Sequence, residues 1–176
     1  MADAVAQSWS WLGGLRTFAL GRRPVWTFVR IALLLLVTFV LLKYVILIRR
    51  IESTSMAPTL REGTIHIINR LAYSPSRTPD RGDIVGVRTS GVTIMYVKRI
   101  VGLPGETVAI HRGVVLIDGQ PLDEPYVVRR RRDWMRPPRP LGPDEYYVIG
   151  DNRFMDIWQH DFGAIEARRI VGKVVW

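Results

Sequence analysis

Between Trp26 and Ile48 the chain reads WTFVRIALLLLVTFVLLKYVILI, about the length a helix needs to cross the hydrocarbon core of a bilayer. No other feature limits the possible folds as much. The run is apolar on every face, and a domain of the size that remains could not cover such a helix. Its two charges, Arg30 and Lys43, fall near the ends, where long side chains reach the interface. Arg49 and Arg50 stand where a cleavable leader would need small residues, so the run reads as an uncleaved anchor. Arg16, Arg22, Arg23 and Arg30 outnumber Lys43, Arg49 and Arg50 across it, and the positive-inside rule then favours a cytoplasmic N-terminus. The expected organisation is a short basic segment over 1–25, a transmembrane anchor over 26–48 and one folded domain over 51–176.

Past the anchor the pattern changes to short β-branched runs with period-two alternation. Thr64–Asn69, Asp83–Val87, Val92–Ile100, Thr107–Ile110, Val114–Ile117, Glu145–Ile149 and Ile170–Val175 are the expected strands. Turn signals separate them, among them Arg81-Gly82-Asp83, Pro104-Gly105, Asp118-Gly119 and Pro137-Pro138. The fold class expected is mainly β, a single transmembrane helix feeding a compact antiparallel β domain.

Composition removes several chemistries. There is no cysteine, which excludes disulfides, thiolate zinc sites and cysteine nucleophiles. His66, His111 and His160 stand far apart, with no pair at helical ligand spacing, so no metal and no cofactor are expected. The net charge of +9 suits anionic lipid or nucleic acid. It concentrates in Arg129, Arg130, Arg131 and Arg132, followed by Trp134, Arg136 and Arg139. That stretch reads as a solvated, proline-punctuated loop or as a contact for anionic headgroups. No nucleic-acid motif accompanies it, so nucleic acid is not an expected partner.

Basic residues number 25, and only three are lysines: Lys43, Lys98 and Lys173. Lys98 sits in the otherwise apolar Met95-Tyr96-Val97-Lys98-Arg99-Ile100. A position needing positive charge alone would be arginine in this composition; lysine differs in that burial can turn it into a base. Ser53-Thr54-Ser55-Met56-Ala57-Pro58-Thr59-Leu60 follows the anchor directly, with two hydroxyls at i and i+2 before a constrained turn. One could serve as nucleophile and the other as an oxyanion donor, although serine clusters also mark caps and turns.

Taken together, these segments resemble the type I signal peptidases, membrane serine proteases of bacteria and organelles. Ser53–Thr59 looks like the nucleophile box, Arg81-Gly82-Asp83-Ile84-Val85 like the next strand entry, Tyr96–Glu106 like the general-base box, and Gly150-Asp151-Asn152-Arg153 like the start of the final box. The resemblance implies Ser55 as nucleophile and Lys98 as general base. It implies an oxyanion hole of the Ser55 N–H and the Ser53 hydroxyl, and apolar pockets for small side chains built from Ile51, Met56, Leu60, Tyr96 and Val97. It implies preprotein signal peptides as substrates, lying along a strand edge and cut after Ala-X-Ala-like sites. The membrane implied is the bacterial inner membrane, with the catalytic domain on the periplasmic side, or an organellar inner membrane. Arg99 and Asp151 are expected to pair in support of the lysine strand.

The final box departs from the family's pattern. Asp156, Trp158 and His160 stand where a serine, an aspartate and an arginine are usual, while Gly163 keeps its place. In the family that serine bonds the lysine, and an aspartate there would favour the charged ammonium. Glu52, directly before Ser53, is also unusual. These departures leave two alternatives: a specialised peptidase for a narrow substrate set, and a catalytically silent membrane protein that binds signal peptides. A Ser-His-Asp relay through His160 and Asp161 is disfavoured, because neighbours on a strand point to opposite faces.

Overall fold

A computed structural model of the chain describes residues 24–88, 95–157 and 163–175. The chain divides after Tyr44 into two compact units. The first holds helix α1 (Pro24–Val40), extended by a wider π turn over Leu41–Val45. Pro24 opens the helix, at a position where its missing N–H costs nothing. From Val25 to Val45 the mean hydropathy is 2.5 and no residue is buried, so length and composition suffice to cross a membrane. At 1.5 Å per residue the segment spans about 31 Å.

In the second unit the strands pair antiparallel, and one isolated bridge, Arg130↔Arg153, is parallel. A seven-stranded sheet has the order β1-β2-β11-β3-β4-β9-β10. Its strands are β1 (Ile46–Arg50), β2 (Ile65–Asn69), β3 (Ile84–Arg88), β4 (Met95–Gly102), β9 (Glu145–Ile149), β10 (Gly163–Glu166) and β11 (Ile170–Val175). A smaller sheet, β7-β6-β5-β8, is formed by β5 (Thr107–His111), β6 (Val114–Ile117), β7 (Gln120–Pro121) and β8 (Arg136–Pro140).

Six of the seven expected strands lie within one residue of the expected bounds. The other, expected over Val92–Ile100, starts at Met95 and runs on to Gly102, its residues 92–94 falling outside the described residues. Residues 46–48, which hydropathy assigns to the anchor, instead open β1. Their backbone pairs with β2 from Ile46↔Asn69 to Arg50↔Ile65. Ile and Leu satisfy either state, and the pairing decides between them. Arg136–Pro140, expected as loop, is strand β8 against β5. It tolerates three prolines because it is an edge strand and its register against β5 shifts where Pro137 and Pro138 stand.

Three apolar clusters hold the domain. Val101, Val108, Ile110, Val115, Trp134, Leu141, Tyr147 and Ile149 join the small sheet to β4 and β9. Val85, Val87, Ile100, Tyr146 and Val148 form a second cluster, and Ile51, Met56 and Leu60 a third. Trp134, which the sequence places in a charged loop, is fully buried, its indole N–H donating to the Met155 carbonyl at 3.1 Å.

Asp83 fastens the entry to β3. It accepts from Tyr73 Oη at 2.8 Å and from the Asp80 N–H at 3.2 Å, and pairs with Lys173 Nζ of β11 at 2.5 Å. Burial pushes its carboxyl up, but the Lys173 ammonium, the Tyr73 hydroxyl and the Asp80 N–H outweigh that and hold its pKa below the ordinary value. With the folded pKa below the unfolded one, the native state releases this proton more readily. The stability gained is therefore complete above the unfolded value near ~4 and is lost as pH falls through the folded value. Urea unfolding followed down through about pH 4 should show this acid limb, and Asp83→Asn should flatten it.

Candidate active site

Ser55 lies in a single 3-10 turn, Thr54–Met56, between β1 and β2. Ser53 caps the turn: its Oγ accepts the Ser55 N–H at 3.1 Å. Lys98 lies in the middle of β4, paired to Val85 of β3, while the next residue, Arg99, is paired to Ile149 of β9. Neighbours on both sides fix its backbone. Tyr96 and Lys98 share one face of the strand, with Lys98 Nζ 5.8 Å from the Tyr96 ring centre.

Two segments 43 residues apart in sequence thus meet: Lys98 Nζ stands 2.9 Å from Ser55 Oγ. Both residues are buried, Ser55 at 4% and Lys98 at 3% exposure. A hydroxyl and an amine at this distance, shielded from water, can exchange a proton. In the ammonium form the amine donates to Oγ; in the neutral form the hydroxyl donates to the amine.

The turn that carries Ser55 is held by the loop after β9. Asn152 N–H donates to the Ser55 carbonyl at 3.0 Å, and Asn152 Nδ2 to the Thr54 carbonyl at 3.1 Å. Thr59 Oγ1 donates to Asp151 Oδ2 at 2.5 Å. Arg99 grips the same carboxylate with two bonds, Nε to Oδ1 at 2.8 Å and Nη2 to Oδ2 at 2.6 Å, and Nη1 donates to the Gly82 carbonyl at 2.7 Å. The expected Arg99–Asp151 pair is therefore present, with the Asp151 side chain fully buried. Burial lowers the Arg99 pKa, but the Asp151 bonds outweigh it and hold the guanidinium above its ordinary value.

A second buried pair lies behind the first. Arg153 and Glu124 are both fully buried and bonded to each other, and Arg153 Nε donates to the Gly150 carbonyl at 2.8 Å. Tyr126 links the two pairs: its ring lies 3.9 Å from the Arg99 guanidinium and its hydroxyl donates to Glu124 at 3.1 Å. Burial, and then the Glu124 charge, push the Tyr126 phenol up. The sequence reading missed Glu124, Tyr126 and Thr59 as supports. Thr59 sits inside the nucleophile box and could have been noticed; Glu124 and Tyr126 carry no local pattern.

Beside Ser55 opens a groove of about 450 Å³, lined by Arg49, Arg50, Ile51, Glu52, Ser53, Ser55, Met56, Met95, Tyr96 and Val97. Of the expected pocket residues, Ile51, Met56, Tyr96 and Val97 line it. Leu60 does not; it is packed with Ile51 and Met56 in the cluster beneath. Arg130 and Arg131, expected in an open basic run, pair with Glu124 at 3.6 Å and Asp133 at 2.5 Å. Arg129 lies 5.8 Å from the Phe154 ring. Asp156 is half-buried and adds, after Asp133, to the charge that holds the Arg131 pKa up. Trp158, His160 and Asp161 lie outside the described residues.

Comparison with known proteins places the chain in a family. The family described as "Signal peptidase, peptidase S26" matches residues 25–176. "Signal peptidase I" of Leptolyngbya laminosa is 35% identical over 135 residues, covering 72% of this chain and 66% of the relative. "Signal peptidase I" of Bacillus caldolyticus is 33% identical over 170 residues, with 88% of each chain covered. The chain thus spans just under two thirds of the Leptolyngbya relative, and 59% of "Probable signal peptidase I-2" of Synechocystis sp., which is 33% identical over 136 residues. A crystal structure of a signal peptidase I from Enterococcus faecalis gives a TM-score of 0.45 at 23% identity, covering 56% of this chain and 98% of that one. The chain belongs to the signal peptidase family, peptidase S26.

Asp151 gives this site a stability signature. Asp151→Ala leaves the Arg99 guanidinium without its carboxylate and should cost about 3–5 kcal/mol. Adding Arg99→Met should recover part of that loss, so the double variant is more stable than the sum of the singles. Urea unfolding of the four proteins measures the coupling.

Proposed function

We propose that the chain is a membrane-anchored serine endopeptidase that removes signal peptides, with Ser55 as nucleophile and Lys98 as general base. The observation that carries this reading is the 2.9 Å approach of Lys98 Nζ to Ser55 Oγ inside a buried site that opens on a groove. Lys98 must be neutral when the reaction starts. Burial and apolar strand neighbours favour that form, since they penalise the ammonium. Lys98 Nζ then takes the Ser55 proton as Oγ attacks the scissile carbonyl, and returns it to the leaving amine. The ester left on Ser55 is opened by a water molecule that loses its proton to the same amine.

The developing oxyanion would meet the Ser55 N–H and the Ser53 hydroxyl. In the free site the Ser55 N–H is bonded to Ser53 Oγ, which leaves the Ser53 hydroxyl proton available to the incoming oxygen. The Ser55 N–H would turn from Ser53 to the substrate, or be shared. Ile51, Met56, Tyr96 and Val97 would accept small side chains such as alanine at the two positions that face the groove, with the peptide extended and bonded through its backbone.

In this reading α1 anchors the chain in a bacterial inner membrane with the β domain on the periplasmic side. Of the basic run, Arg129 and Arg132 are the exposed members left to meet anionic headgroups, Arg130 and Arg131 having partners of their own.

Cleavage of a precursor with an Ala-X-Ala site by the detergent-solubilised chain tests the proposal. Ser55→Ala should abolish it. Lys98→Arg, which keeps the charge but cannot give up a proton, should lower kcat by about 10²–10⁴-fold. A native chain that folds and cuts nothing would instead favour a protein that binds signal peptides without hydrolysing them.

A further inference from the structure

Seven described arginines of the β domain have a carboxylate of the same domain to hold, among them Arg81 with Glu106, Arg99 with Asp151, Arg139 with Glu145 at 3.0 Å and Arg153 with Glu124. Arg49 and Arg50 differ. Both line the groove beside Ser55, both are exposed, and neither forms an ion pair with any described carboxylate. Glu52 lines the same groove and is close by in the chain, yet it compensates neither. Apart from Ser53 and Ser55, the rest of the lining, Ile51, Met56, Met95, Tyr96 and Val97, is largely apolar. An apolar wall keeps water and counterions away from one side of a charge and strengthens what it does to a ligand.

We infer that this groove sorts substrates by charge, with Arg49 and Arg50 selecting peptides that carry a carboxylate on the acyl side of the scissile bond. The inference rests on the reading of the groove as the peptide site. β1 leads away from the nucleophile turn, so an extended peptide beside it reaches the arginines within about four residues of the bond. Glu52 lies nearer to Ser55 along the chain, so the acid is favoured at the far end of the groove and disfavoured next to the bond. Small side chains fill the pockets and the charge at the far end ranks the precursors that satisfy them. A carboxylate there gains a cationic partner, while a lysine meets a like charge.

The test uses the full chain in neutral detergent and fluorogenic peptides with an Ala-X-Ala core. Each position before the core carries Asp, Asn or Lys in turn, and kcat/KM is measured for each. The expected result is one position at which Asp exceeds Lys by about three- to tenfold at low salt. That ratio should shrink toward one in about 0.5 M salt. Replacing both arginines by glutamate should invert it, and replacing both by glutamine should bring it near one, so either variant suffices if the other does not fold. Ratios are taken within each variant, and a general loss of rate does not obscure them. Equal rates for Asp and Lys at every position, with the neutral peptide still cut, would overturn the inference and leave the peptidase reading intact. Unchanged ratios in the variants, with weaker binding to phosphatidylglycerol vesicles, would also overturn it and assign the arginines to lipid. Failure to cut any peptide would remove both readings together.

Discussion

One buried carboxylate decides how two adjacent side chains of β4 are used. Asp151 holds Arg99 through two bonds and Thr59 through a third, so it ties β4 and the segment that follows Ser55 to the loop after β9. Side chains alternate along a strand, so fixing Arg99 on one face fixes Lys98 on the other. Asn152, next in the chain, bonds the carbonyls of Thr54 and Ser55 and sets the height of the turn. The 2.9 Å separation between Lys98 and Ser55 follows from these restraints and not from any attraction strong enough to create it. A hydroxyl and an amine alone would not pull two distant loops together against the entropy of ordering them.

Charge is handled in the same economical way. A domain with so many arginines and few acids cannot pair all of them, and it places its carboxylates where they bind segments together. Glu124 joins Arg153 and Arg130, Glu106 takes Arg81, and Asp83 takes Lys173. The cations that remain are at the surface and along the groove. The basic run 129–132 illustrates the distinction: in sequence it is one feature, but in the fold its members have separate partners, and Trp134 beside it is core.

Most of the β domain was legible because its strands alternate with period two and are bounded by glycine and proline turns. The strands that were not legible have physical reasons. Ile46–Ile48 is apolar enough for either a membrane helix or a strand, and only the pairing with β2 assigns it. Arg136–Pro140 has the composition of a loop, and its strand exists because β5 offers it an edge. At the site, the two residues of the proposed dyad were visible: a rare lysine among arginines, and a serine pair before a constrained turn. Met56 and Leu60 looked alike as pocket residues, yet one lines the groove and the other lies beneath it. Glu124 and Tyr126 could not have been read as supports, because their role depends on Arg153 and Arg99, which reach them only through the fold.

To serve as the proposed base, Lys98 must give up a proton in the pH range where precursors are cut. With only three lysines in the chain, ¹⁵N-lysine labelling gives three side-chain amine signals. The measurement is their titration, with Lys98 assigned by loss of its signal in Lys98→Met. Lys98 as the base should deprotonate well below the ordinary lysine range near ~10.4, with a midpoint that matches the rising limb of the cleavage pH profile. If Lys98 titrates in that ordinary range, it remains an ammonium at the pH of cleavage and is not the base.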